Sequence, residues 1–275
     1  MRILDNFDGN HLLARLLEAG CGSLLSRLEL LPLAFGDVLY EADSELVHVY
    51  FPTNSVVSLL SVMEDGASDE IACVGNEGIV GVPLFLGAAR SPHRVVVRCA
   101  GYAFRLSGQL VLEEFSRSGV THNLLLRYTQ ALLTQISQTV TCHRHHSMHQ
   151  QFCRWLLSSV DRLPADELYL TQESIALLLG VRRETISKEV GALRAAGLIQ
   201  NKQRGRIVVI DRPRLEARAC ECYRGMKTEL GRLTGAAITA PAATAVYRPD
   251  RRVAGGYLPV PHAGARANFA AVVPA

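Results

Sequence analysis

The segment TQESIALLLGVRRETISKEVGALRAAGLIQNKQRGRIVVID, residues 171–211, leaves a chain few ways to fold. Two apolar stripes at helical spacing are separated by Gly180, and Gly197 ends the second. Thr171 is placed to cap the first helix, with Glu173 in its opening turn. In the second, Ile186, Val190 and Leu193 recur at helical spacing and require a buried face. The start of that helix instead carries Arg182, Arg183, Glu184 and Thr185, with Lys188 one turn on. LIQNKQRGRIVVID then reads as strand, turn and strand around Gly205, and Asp211 with Pro213 opens a last helix through RLEARACECYRGMKTEL.

Helix, tight turn, helix and basic hairpin is the layout of a winged helix-turn-helix, whose second helix presents its first residues to base edges in the DNA major groove. Arg183 can meet guanine O6 and N7 in a bidentate pair, Glu184 can accept from cytosine N4, and Lys188 reaches another guanine or a phosphate. Lys202, Arg204 and Arg206 on the hairpin suit phosphates, as does Arg182, and Gln172, Ser174, Thr185 and Ser187 complete the backbone-contacting set. Taken singly, Glu184 and Lys188 are also an i,i+4 ion pair in the favourable order. The charge distribution weighs toward a polyanion: residues 171–214 hold 9 Lys plus Arg against 4 acids, a net +5. Residues 1–118 hold 8 Arg and no Lys against 15 acids, a net −7.

At 275 residues and 48% hydrophobic, the chain has room for more than one core and is no disordered polymer. Residues 10–31 read as two short helices broken by Gly20 and Gly22, and from Pro32 to Ser107 short β-rich runs alternate with Gly, Pro, Asn and Asp. That pattern predicts a small antiparallel roll. Helical periodicity returns near 108 and persists to about 141. Leu126, Leu133 and Val140 repeat every seven residues, Thr129 and Ile136 fall three later, and Leu125 and Leu132 widen the stripe. Packing on the chain's own roll or pairing in a parallel dimer would both explain it, and the length favours the dimer. A further helix runs from 147 to 162 and stops before Pro164. The fold expected is α+β: a β-roll sensor at 1–118, dimerisation and connecting helices at 119–162, the winged module at 163–233, and an Ala/Pro/Gly-rich flexible tail at 234–275.

The whole resembles the cyclic-AMP receptor and fumarate–nitrate regulator (Crp/Fnr) superfamily of bacterial transcription factors over residues 10 to about 230, most specifically in TQESIALLLGVRRETISKEVGALRAAGLI and RGRIVVID. The resemblance implies a cyclic-nucleotide-binding-like roll, a homodimer through the long central helix, and a palindromic double-stranded DNA operator read by Arg183, Glu184 and Lys188. Arg182 departs from the small hydroxyl residue common in the family at the helix start. In the family's nucleotide cassette a Glu holds the ribose and an Arg-Ser pair holds the cyclic phosphate. Here those positions fall on about Val82 and on His93-Arg94. Arg90 or Arg94 can still meet a phosphate, but Val82 offers no partner for a ribose hydroxyl, so the possible effector pocket (Val82, Arg90, His93, Arg94) implies no cyclic AMP in the usual mode.

Cys21, Cys73 and Cys99 are too dispersed for an iron–sulfur loop, and Cys220 and Cys222, two apart on a presumed helix, would not share a face. The seven cysteines fit no disulfide framework, the start is no secretory signal, and no apolar run is long enough for a membrane span, which implies a protein of the reducing cytoplasm. Cofactors are expected to be none. CHRHHSMH, residues 142–149, keeps open a metal- or redox-responsive regulator using Cys142, His145 and His149. A cupin-like enzyme fused to a DNA-binding module is the remaining alternative. Its strand region offers only His48 and His93, so no enzymatic activity is expected. Whether such a regulator touches RNA polymerase has no sequence signature.

Overall fold

The computed structural model describes residues 9–20, 24, 26–117, 119–203 and 205–234. Helix α1 (His11–Glu18) begins at Asn10, whose side chain accepts from the Leu13 amide and donates to the carbonyls of Pro52 and Gly78. One buried amide therefore caps the helix and pins it to the sheets, and Leu12, Leu13 and Leu16 seal the contact. The helical reading of residues 10–31 ends too late. Strand β1 (Glu29–Leu33) already pairs with a later strand, and Glu29 faces Arg105 across that ladder at 2.6 Å.

Two antiparallel sheets make the roll. One has the order β1, β7 (Gly101–Ser107), β3 (His48–Pro52). The other has the order β2 (Val38–Tyr40), β6 (Arg94–Cys99), β4 (Val56–Val62), β5 (Ser68–Val74). Their inner faces contribute Phe51, Val57, Val74, Val97, Phe104 and Leu106 to a common core. A short helix, α2 (Val82–Phe85), lies between β5 and β6. The periodicity read as continuous from 108 is interrupted. Helix α3 (Gly108–Ser116) stops, and Gly119, at φ +107°, a conformation open to glycine, precedes the 26-residue α4 (Val120–His145).

Helix α5 (Met148–Val160) starts from a capping box between Ser147 and Gln150. It is buried almost all round, because it is the hub of a second core. Phe152, Trp155, Leu156 and Val160 meet β8 (Glu167–Tyr169), α6 (Gln172–Leu178), α7 (Arg183–Ala195) and the hairpin β9 (Ile199–Gln203)–β10 (Arg206–Val209). The order in that sheet is β8, β10, β9. Instead of one last helix there are two, α8 (Arg212–Glu216) and α9 (Glu221–Thr234), and α9 lies along α4. The tail read at 234–275 lies, Thr234 apart, outside the described residues, as do Cys21 and Arg204.

A buried polar junction joins the second core to the roll. Glu70 of β5 accepts two 2.8 Å bonds from Arg98 of β6 and one of 3.0 Å from the Trp155 indole of α5, and Arg98 stacks over the Trp155 ring at 4.9 Å. Nearby, Arg162 pairs with Glu77 at 2.8 Å. Gly75 is required there, since a Cβ would come within 2.7 Å of the Arg162 side chain.

Candidate nucleic-acid interface

Thr171 caps α6 by accepting from the Ser174 amide at 3.1 Å, and its hydroxyl lies 2.8 Å from that of Ser174. The turn after α6 passes through Gly180 at φ +61°, where a Cβ would meet Asp69 Oδ1 of β5 at 1.9 Å. Glycine is needed for the backbone conformation, while the Asp69 side chain could swing aside. Helix α7 follows with Arg182 at its cap position and no side-chain cap bond, since arginine has no side-chain oxygen to accept from the first amides.

Ile186, Val190 and Leu193 of α7 are buried. Arg182, Arg183, Glu184, Ser187 and Lys188 are exposed, and Thr185 is half-buried. Residues 183, 184, 187 and 188 are helical neighbours on the outer side of α7. Among the described residues Arg183, Glu184 and Lys188 make no ion pair, so the helix-surface pairing of Glu184 with Lys188 is not formed. Gln172 and Ser174 stand half-buried at the start of α6.

The hairpin turns at Gly205, φ +80°. Arg206, expected on phosphates, folds back on Glu167 of β8 at 2.6 and 3.1 Å and lies over the Tyr169 ring. The side chain of Lys202, like all of Arg204, is outside the described residues. Sequence reasoning missed a positioning contact: His149 Nδ1 at the start of α5 lies 2.6 Å from Glu189 on the inner flank of α7.

On α4 the widened stripe divides. Leu125, Thr129 and Leu132 are buried and Ile136 is partly buried against the roll, whereas Leu126, Leu133 and Val140 are exposed at 40, 53 and 63%. At the roll, Val82 is buried, Arg90 pairs with Asp43, Arg94 with Glu41, and His93 is half-buried, which lowers its pKa. Away from these residues, a cavity of about 20 Å³, room for water, is bounded by Glu70, Arg98, Gln135, Arg154 and Trp155.

The cysteine and histidine cluster is rearranged relative to the sequence reading. His145 is exposed and His149 is taken by Glu189, so neither joins Cys142. Cys142 instead converges with His146, Cys220 and Cys222. Burial raises the Cys142 thiol and pushes Cys220 up to about 12.

Residues 150–218 match the family described as the Crp-like helix-turn-helix domain. No curated protein matches the sequence. Among solved structures, FixK2 from Bradyrhizobium japonicum is 15% identical, aligned over 70% of this chain and 98% of its own, with a TM-score of 0.60. A CRP-family transcriptional regulator from Thermus thermophilus is 19% identical over 76% of this chain and 99% of its own, at 0.53. The c-di-GMP-responsive global regulator CLP of Xanthomonas campestris is 14% identical over 71% and 98%, at 0.52. At such identities the likeness concerns the fold. Among the described residues no helix is long and apolar enough to cross a membrane. Residues 150–218 therefore form a Crp-like helix-turn-helix domain, carried on a chain whose fold is like that of CRP-family transcriptional regulators.

Proposed function

We propose that the protein binds a palindromic double-stranded operator as a homodimer, with α7 of each copy in a major groove. Arg183 and Glu184 read a G·C-containing half-site, and Lys188 adds a guanine or phosphate contact. The observation that carries this reading is the exposed start of α7. Arg183, Glu184 and Lys188 are free of ion pairs among the described residues, while the opposite face of the same helix is fully packed. Arg182, Thr185, Ser187, Gln172 and Ser174 are assigned to backbone contacts, together with Lys202 and Arg204 of the sequence. Arg206 takes no part while it is held by Glu167.

Dimerisation through α4 is supported by Leu126, Leu133 and Val140, apolar side chains exposed at seven-residue spacing on a helix whose other faces meet the roll and α9. In this reading residues 1–118 sense, 119–162 dimerise and connect, and 163–233 read DNA. The effector is not cyclic AMP held in the usual mode, since Val82 is buried and apolar and both Arg90 and Arg94 already face carboxylates. Selection of random DNA by the purified, ligand-free protein tests the reading. Enrichment of a palindrome with G·C-containing half-sites about one helical turn apart is expected. Enriched sites lacking twofold symmetry would rule out the paired reading.

A further inference from the structure

We propose that Cys142, His146, Cys220 and Cys222 are the four ligands of a closed zinc(II) site that clamps the end of α4 to the start of α9. Nothing in this rests on the base-reading assignment. Cys142 lies in the last turn of α4 and His146 is its C-cap residue, whose backbone N–H donates to the Cys142 carbonyl. Cys220 sits just before α9 and Cys222 in its first turn. Their ligand atoms all lie within 4.8 Å of one another.

Two of the spacings are close to the edges of a tetrahedron around one ion, and the others need shifts of no more than about 1 Å. Cys142 Sγ lies 3.5 Å from Cys220 Sγ, and Cys222 Sγ lies 3.5 Å from His146 Nδ1. Zinc bonds of about 2.3 Å to sulfur and about 2.0–2.1 Å to nitrogen give tetrahedral edges of about 3.8 and 3.6 Å. A disulfide would need about 2.05 Å between the sulfurs, so Cys142 and Cys220 stand as separate donors.

The surroundings are arranged as metal ligands require. His146 Nε2 lies 3.2 Å from Glu221 Oε1, so the ring can donate there and leave Nδ1 free to ligate. Gln138 Nε2 donates to Cys222 Sγ at 2.9 Å. Three thiolates and a zinc ion carry a net charge of −1, and the buried Arg154, whose charge acts on Cys142, offsets it. Binding expels the three thiol protons to solvent, with no change of oxidation state. The three cysteines also form a buried cluster of their own, apart from the two large cores. Three thiolates and an imidazole in a closed set select zinc and leave no position for a reacting water, so the role is to fix a joint rather than to catalyse.

The joint matters because α9 follows the DNA-reading module and α4 carries the exposed stripe. The ion would tie the two together beside the bend between α4 and α5.

The full-length protein, purified with reductant and without chelator, should carry about one zinc per chain. After chelation, titration with cobalt(II) should give the intense visible bands of a tetrahedral site together with sulfur-to-cobalt charge transfer. Cys220→Ser and Cys222→Ser should lose the metal, Cys99→Ser in the roll should keep it, and Glu221→Gln should weaken cobalt binding about tenfold or more. Less than about a tenth of an equivalent of zinc in the reduced wild type, with no tetrahedral cobalt spectrum, would overturn the site. So would zinc that survives both cluster substitutions. Should those variants fail to fold, the wild-type cobalt spectrum decides alone, because it reports tetrahedral thiolate ligation directly.

Discussion

Arg183 shows how much chemistry a residue type can announce. Its exposure, its place at the start of α7 and its neighbour Glu184 all followed from the sequence, because helical spacing sends Ile186, Val190 and Leu193 inward and leaves one outward face. Replacing Arg183 with Ala should cost about 1–3 kcal/mol on the selected operator and relax one base position, with little change on random DNA. Fluorescence anisotropy on both DNAs checks this, and an equal loss on both would mean a phosphate contact. Arg206 was not legible in the same way. It carries the same charge as Arg183, on the neighbouring hairpin, yet Glu167, 39 positions earlier, captures it, and only the register of β10 on β8 brings the two together. Cys220 and Cys222 were misjudged for a related reason. Helical spacing sets such residues on different faces, but Cys220 precedes the helix and follows no helical geometry.

At the scale of elements, the long helix α4 was visible from its periodicity, and so was the strand-rich texture of the roll. The sequence could not say which of two overlapping stripes on α4 faced inward. Leu125 and Leu132 differ from Leu126 and Leu133 by one position, about 100° around the helix, and only the packing of the roll decides between them. The distinction yields a paired test. Leu133→Arg, on the exposed stripe, should give a folded monomer in sedimentation experiments and weaken operator binding sharply. Leu132→Arg places a charge in the core and should unfold the roll instead. A dimer that survives Leu133→Arg would assign the interface elsewhere. The break at Gly119 left a weaker trace, since the apolar spacing runs on through it while the backbone does not.

On the scale of the whole molecule, the feature least foreseeable was the polar junction between the roll and α5. Glu70 and Arg98 are 28 residues apart, Glu70 and Trp155 are 85 apart, and no local pattern connects them. Removing one charge of a buried pair strands the other, so Glu70→Gln should destabilise by about 3–5 kcal/mol. For a chain of this size that lowers the thermal midpoint by on the order of 10 °C. Trp155 is the single tryptophan in the sequence, so its emission reports the junction directly. Combining Glu70→Leu with Arg98→Met should recover much of the stability, because the uncompensated charge is gone. A double variant no better than the single one would mean that the geometry of the pair, not its charge balance, holds roll and module together.

The exposed repeat on α4 carries a consequence of handedness. Leu126, Leu133 and Val140 are seven apart, whereas a straight helix at 3.6 residues per turn drifts by about 20° in every seven. Two copies following that stripe cannot lie as straight parallel rods. In the proposed dimer they would wind round each other to the left and cross at about 20°. In such a dimer the two bends that begin α5 would diverge on opposite sides of the twofold axis, and the pitch set by Leu126, Leu133 and Val140 would help to fix how far apart the two reading heads are held.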